Sequence, residues 1–335
     1  MRRLLLSLMC FLLSTATSHA GPDHHEKRWP SDAHRVLTVF DAAGKAVGRL
    51  ASFGRFDGVF LTVNGALVFV PLTLVNVNFA PSQSAKYQWL TVDSASGCGE
   101  SPAIPIESGP RPSVATRTGE EVTLSIAADT SSSPCSASLI SGQTSQSTTF
   151  PVESTYALTA HFPEPLTIDV DRADSRRPGN DEDRLPMVYD GQGKPVGPLE
   201  SYLGAKGVFL LIDGSPVFVQ VNHKRVPPTQ YSASQFEWTG YTDVPYASHD
   251  CGAGLLVVDT GSPTPAMTVR HGVDVTVFVA DRVPSIDADV GSFRLTDLSG
   301  ATSCEVTSLP RSDVWTIKSA YPLTQHHPEP LRIAY

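Results

Sequence analysis

The feature that most constrains this chain is that it is written twice. Val39–Val70 reads VFDAAGKAVGRLASFGRFDGVFLTVNGALVFV, and Val188–Val219 reads VYDGQGKPVGPLESYLGAKGVFLLIDGSPVFV. Sixteen of the thirty-two positions are identical, with no gap. The same register carries Trp89 onto Trp238. After a short insertion Cys98 meets Cys251, and Cys135 meets Cys304. The equivalence closes on YALTAHFPEPLTI (Tyr156–Ile168) against YPLTQHHPEPLRI (Tyr321–Ile333). A correspondence that runs from first strand to last describes two whole domains rather than turns of a solenoid. Their expected bounds are 36–168 and 185–335. The intervening 169–184 is rich in charge and contains Pro178 and Gly179, the composition of an exposed linker.

Each copy reads as strands. VFLTV-NG-ALVFV is the strongest local signal, because Asn64-Gly65 accepts the positive φ angles of a tight hairpin turn between two β-branched and aromatic runs. Asp213-Gly214 does the same in the second copy. Runs such as VLTVF, YQWLTV, EVTLSIAA and YALTA in the first copy, and FEWTGY, GLLVVD, VDVTVFVA, SFRLTDL and VWTIKSA in the second, follow at similar spacing. No helical apolar stripe competes with them. The expected class is all-β: two tandem homologous domains, each a sandwich or a partly closed barrel. In the recurring phrase His-x-Pro-Glu-Pro-Leu the prolines cannot donate to a ladder, so this is expected to be a sheet edge or a polyproline-like approach to a short last strand. His161 and Glu164, three apart on an extended chain, face opposite sides and do not suit one metal ion.

Residues 1–20 read as a secretory signal peptide, with Arg2 and Arg3, the apolar run Leu4–Leu13 and a cleavage site after Ala20. The apolar run is too short to span a bilayer, which needs about 20 residues. Cys10 raises a lipoprotein alternative, opposed by Met9 where a small residue is wanted. A polar lead, 21–35, follows; cleavage after Gly21 would leave His24 third from a free amino terminus, a copper- or nickel-binding arrangement that cleavage after Ala20 destroys. The expected destination is outside the cytoplasm: periplasm, cell surface or medium. The formal net charge is −9, and loss of Arg2 and Arg3 makes it more negative. That argues against nucleic acid and anionic membrane surfaces as partners.

Export also governs the cysteines. The four beyond the leader allow three pairings. The repeat favours Cys98–Cys135 and Cys251–Cys304, because each copy then carries the same bond in an oxidising compartment. Bonds between copies and metal thiolates are the alternatives; without any Cys-x-x-Cys, no metal site is expected.

Few motifs carry chemistry. Leu255–Ser262, LLVVDTGS, resembles the active-site signature of the pepsin-like aspartic proteases, whose two carboxylates share a proton. That resemblance implies Asp259 as one catalytic carboxylate, and the matching place in the first copy offers only Ile106-Glu107-Ser108-Gly109. The favoured reading is a strand running into a Gly-Ser-Pro turn, because the first copy lacks the matching motif and this one falls late in its repeat. Gly-x-Ser-x-Gly, His-Glu-x-x-His and phosphate-binding glycine loops are absent. Trp89 and Trp238 suit either a sugar-stacking platform or the core. The copies diverge most at Thr73–Lys86 against Asn222–Gln235, where the second carries His223, Lys224, Arg225 and Tyr231; loops on a rigid scaffold are where ligands are bound.

The pattern Asp-x-x-Gly-Lys-x-Val-Gly, then Val-x-Leu-x-Val-Asn-Gly, a tryptophan-bearing strand and a Cys-Gly turn resembles a loosely defined set of exported bacterial β-repeat proteins. No activity attaches to that set, so the resemblance implies architecture alone. The sequence therefore predicts an exported, non-catalytic binding, adhesive or surface module without cofactor. Its partner would be a glycan, a protein or an envelope component. A secreted aspartic-protease-like hydrolase is the alternative.

Overall fold

The structure is a computed structural model that describes residues 37–75, 85–92, 104–131, 135–138, 144–147, 149–170, 185–226, 230–258, 262–281, 285–297 and 301–335. Over these residues it is all-β, with curled sheets and two α-helices of four residues each. Every sheet draws its strands from one repeat only.

In the first repeat one antiparallel sheet runs in the order Thr167–Val170, Leu37–Phe40, Ala46–Phe53, Phe56–Val63, Ala66–Leu74 and Tyr87–Trp89. Its central hairpin turns at Asn64 (φ 51°) and Gly65 (φ 79°), and the second repeat turns at Asp213 (φ 47°) and Gly214 (φ 78°). These are the left-handed angles that an Asn-Gly or Asp-Gly turn supplies at little steric cost. The sheet curls until its two ends meet: Tyr87 and Leu166 exchange backbone hydrogen bonds of 2.8 Å. Phe236 and Leu331 do the same in the second repeat. The closing phrase is therefore the seam of a barrel-like sheet. Asp169 and Val170, expected in the linker, instead continue the last strand opposite Thr38 and Leu37.

A second layer lies against each curl. Ser113–Thr118, Glu121–Ala127 and Val152–Ala157 form a three-stranded sheet, matched by Ala266–His271, Asp274–Ala280 and Ile317–Pro322. YALTA, expected as a strand, is strand only to Ala157; Leu158–His161 forms a helical turn, as does Leu323–His326. Burial of Leu158 and Leu323 draws these turns inward. The Thr159 hydroxyl accepts the Val122 N–H, and Thr324 likewise accepts that of Val275. Local strand propensity yields there to a tertiary contact. The second repeat also has a sheet built on the long strands Ile286–Thr296 and Thr302–Trp315, and the first has two two-stranded sheets, Ile104–Pro105 with Thr149–Phe150 and Cys135–Ser138 with Thr144–Ser147.

The Cys251–Cys304 bond is present and ties a turn to that long hairpin. Cys98 lies outside the described residues, so its pairing with Cys135 does too. Residues 36–335 cluster as one compact unit. Phe53, Phe60, Leu67 and Phe69 of the first repeat share a core cluster with Val188, Val208, Trp238 and Leu331 of the second. Two further contacts join the repeats: the Tyr335 hydroxyl donates to the Phe60 carbonyl and the Ser201 hydroxyl to that of Gly54.

The shared core exposes an asymmetry between the copies. Phe53, Phe60 and Phe69 form an aromatic triad on the outer face of the first curl, with ring centroids 5.1–5.9 Å apart. Tyr202, Phe209 and Phe218 repeat it at 5.0–5.5 Å. The first triad is buried throughout, whereas Phe209 is 38% exposed.

Candidate functional site: the cavity between the repeats

At the two seams the glutamate of the recurring phrase is fully engaged, whereas Nδ1 of His327 is buried without a hydrogen-bond partner. Glu164 accepts the Trp89 backbone N–H at 2.7 Å and both arms of the Arg117 guanidinium at 2.9 Å. Glu329 accepts the Trp238 N–H at 2.6 Å and the Arg270 guanidinium at 2.6 and 3.1 Å. The indoles donate to the carbonyls of Phe162 and His327. The leading histidines lie flat on tyrosines, His161 on Tyr156 and His326 on Tyr321, with centroids 4.4 Å apart. The Asp-x-x-Gly-Lys signature docks on the same place. Asp41 closes its turn by accepting from Ala43 and Lys45, and Ala42 N–H donates to the Pro163 carbonyl. The two most repeated motifs thus hold each other, and their role is architectural. Trp89 and Trp238 are fully buried and present no ring face to solvent.

The divergent segment of the second repeat grips the first. Ala233 N–H donates to the Asp129 carbonyl and Ser131 N–H to that of Tyr231, and Tyr231 N–H donates to the Ser131 hydroxyl. Ala233 and Tyr231 pack with Ile104, Val114, Ala127 and Phe150. His223 is buried; its Nδ1 lies 2.9 Å from the Ser232 carbonyl and its Nε2 3.3 Å from that of Gly109. Burial, with the Lys206 and Arg111 charges behind it, outweighs the two carbonyls and pushes its pKa down to about 3. A neutral ring donates from one nitrogen, and the shorter contact marks Nδ1. His223 is therefore a joint residue. Lys224 and Arg225 stay partly exposed, and Arg225 lines a shallow cleft with Glu237 and Arg270.

Where the two hairpins face each other they leave a cavity of about 580 Å³. Phe53, Phe56, Phe69, Pro71 and Pro105 give it apolar walls from the first repeat; Lys206, Gln220 and Asn222 enter from the second. A glycine shapes the wall. A Cβ on Gly58 would lie 2.3 Å from the Val70 carbonyl oxygen and 2.8 Å from the tip of Phe69. Only glycine lets the Phe69 ring lie flat across the strand. Lys206 reaches over the Phe53 ring, Nζ 4.6 Å from its centroid. Lys206 is half-buried. That burial lowers its pKa to about 8, with the Glu107 charge opposing the shift. Glu107 lines the same cavity from a single helical turn, Ile106–Ser108.

Asp259 lies outside the described residues, so no pairing with Glu107 can be drawn. Beside it, Val258 is a buried strand residue, and the Ser262 hydroxyl accepts the Phe218 N–H. Among the described residues no cluster of three or more His, Cys, Asp or Glu could hold a metal, and no helix is long and apolar enough to cross a membrane. Sequence reasoning pointed to Glu107 and His223 for other reasons and missed Lys206. The available signal was the repeat itself: Lys206 stands where the first copy has Asp57, a charge reversal within an otherwise shared hairpin.

Fold and site define an all-β protein of two homologous curled sheets with a cavity at their junction. Comparison with known protein families, with curated proteins and with solved structures yields no match.

Proposed function

We propose that this is an exported, non-catalytic binding module and that its ligand, a small and largely apolar molecule, sits in the cavity between the repeats. The observation that carries the reading is that cavity: its aromatic and prolyl walls come from the first repeat, and the second brings Lys206, Gln220 and Asn222 against them. Apolar walls with a small number of placed polar groups are the usual make-up of a small-molecule site. The recurring phrase, the Asp-x-x-Gly-Lys turn and the two tryptophans are spent on seams, turns and core. The leader-like Met1–Ala20 and the Cys251–Cys304 bond support export. The likeness to exported bacterial β-repeat proteins supports the same address.

The test is a thermal-shift panel of small aromatic compounds, oligosaccharides and envelope polymers. Small aromatics should raise Tm in proportion to occupancy, and Ala205→Phe, which fills the cavity, should abolish the rise. If glycans or polymers alone raise Tm, or if Ala205→Phe leaves the aromatic response intact, the cavity is not the seat.

A further inference from the structure

Resting on that reading of the cavity, we infer that Lys206 is a nucleophilic amine that captures small apolar aldehydes as imines. Among the described residues Lys206 is the one lysine lining the cavity, with Arg55 over Phe56 as its other cation, and the Lys206 Nζ is placed over an aromatic wall. A carbonyl compound resting on Phe53, Phe56 and Phe69 would meet that nitrogen. Glu107 supplies a carboxylate in the same space. Desolvation favours the neutral, nucleophilic amine, the usual way a protein activates a lysine; here the burial that lowers the Lys206 pKa to about 8 does so.

The step balances without a further reagent. Lys206 gives up its ammonium proton, for which Glu107 is an acceptor. The nitrogen lone pair attacks the carbonyl carbon, and the oxygen takes up a proton to give a carbinolamine. A C=N bond then forms as the hydroxyl leaves with a proton as water. One aldehyde and one amine become one imine and one water, with no change of oxidation state. The neutral imine also removes a charge that the cavity solvates poorly.

The experiment uses the full chain with benzaldehyde as probe and cyanoborohydride to reduce any imine to a stable benzylamine, mapped by peptide mass spectrometry. Benzylation should fall on Lys206 about tenfold faster than on Lys45, Lys194 or Lys318, as expected of an activated amine. The initial rate should rise with pH and level off above pH 8. Lys206→Arg should abolish the selective label, and Glu107→Gln, which removes the carboxylate that favours the ammonium, should bring the plateau to lower pH. Benzamide, which has the ring and forms no imine, should raise Tm in wild type and in Lys206→Arg alike. A label spread evenly over the lysines overturns the inference. If benzamide still raises Tm in that case, the cavity reading survives and only the imine fails. If benzamide has no effect and no lysine is selected, both fall.

Discussion

Lys206 and His223 sit on neighbouring strands, and each is a base held where its charged form is poorly solvated. For both, the native pKa lies below the ordinary value, at about 8 against 10.5 and about 3 against 6.5. The native state therefore binds fewer protons than the unfolded chain between each pair of values, and stability must rise with pH across each window. For His223 that window lies between pH 3 and 6.5. His223→Gln removes the linkage, so the wild type should lose about 2 kcal/mol relative to the variant between pH 7 and 5, measured by urea midpoints. Carboxylates common to both proteins cancel in that difference. For Lys206 the charge penalty is full below pH 8 and fades as pH rises to 10.5. Lys206→Met should therefore stabilise the protein by about 2–3 kcal/mol at pH 7, with the gain shrinking by pH 10. A variant no more stable than wild type at pH 7 would mean that water reaches the ammonium freely.

At the scale of elements, the seam is held by one carboxylate in each repeat. Glu329 is 16% exposed and Arg270 25%, so the pair is largely withdrawn from water. Removing one partner strands the other and leaves the Trp238 N–H without an acceptor. Glu329→Ala should cost about 3 kcal/mol in a denaturant titration, and Arg270→Lys less, since lysine keeps the charge and loses the fork. Equal losses for the two variants would mean that geometry counts for nothing at this seam. The carboxylate half of this clasp was legible, because His-x-Pro-Glu-Pro-Leu is conspicuous and written twice. Its arginine half was not. Arg117 and Arg270 follow an insertion that breaks the simple register, and nothing near them in sequence names a partner 47 or 59 residues away. The hairpins at Asn64-Gly65 and Asp213-Gly214 were legible because their chemistry is local. The helical turns at Leu158–His161 and Leu323–His326 were hidden because a buried leucine, not propensity, decides them.

At the scale of the molecule, the repeat predicts two like domains but cannot say which face of each is covered. The aromatic triad is present in both copies, Phe53, Phe60 and Phe69 against Tyr202, Phe209 and Phe218. Its sequence is nearly the same whether it lies under a neighbour or faces solvent. Only the packing of the second repeat on the first distinguishes them, and the same packing creates the cavity. The divergence of Asn222–Gln235, legible as a sign of recognition, is spent on gripping the other repeat. A shared core has a thermodynamic consequence. Phe53, Phe60 and Phe69 are each 7% exposed or less. Each aromatic side chain buries about 150–250 Å², so the first repeat without its partner would present a large apolar patch of the kind that drives association. The intact chain should therefore unfold in one calorimetric transition, with calorimetric and van't Hoff enthalpies in agreement. A fragment ending at Val170 should melt lower than the whole and self-associate in sedimentation experiments. Leu67→Ala at the junction should lower the single transition without splitting it. Two resolved transitions in the intact chain, or a monomeric fragment as stable as the whole, would show the junction to be a weak contact between independent units, too loose to define a cavity.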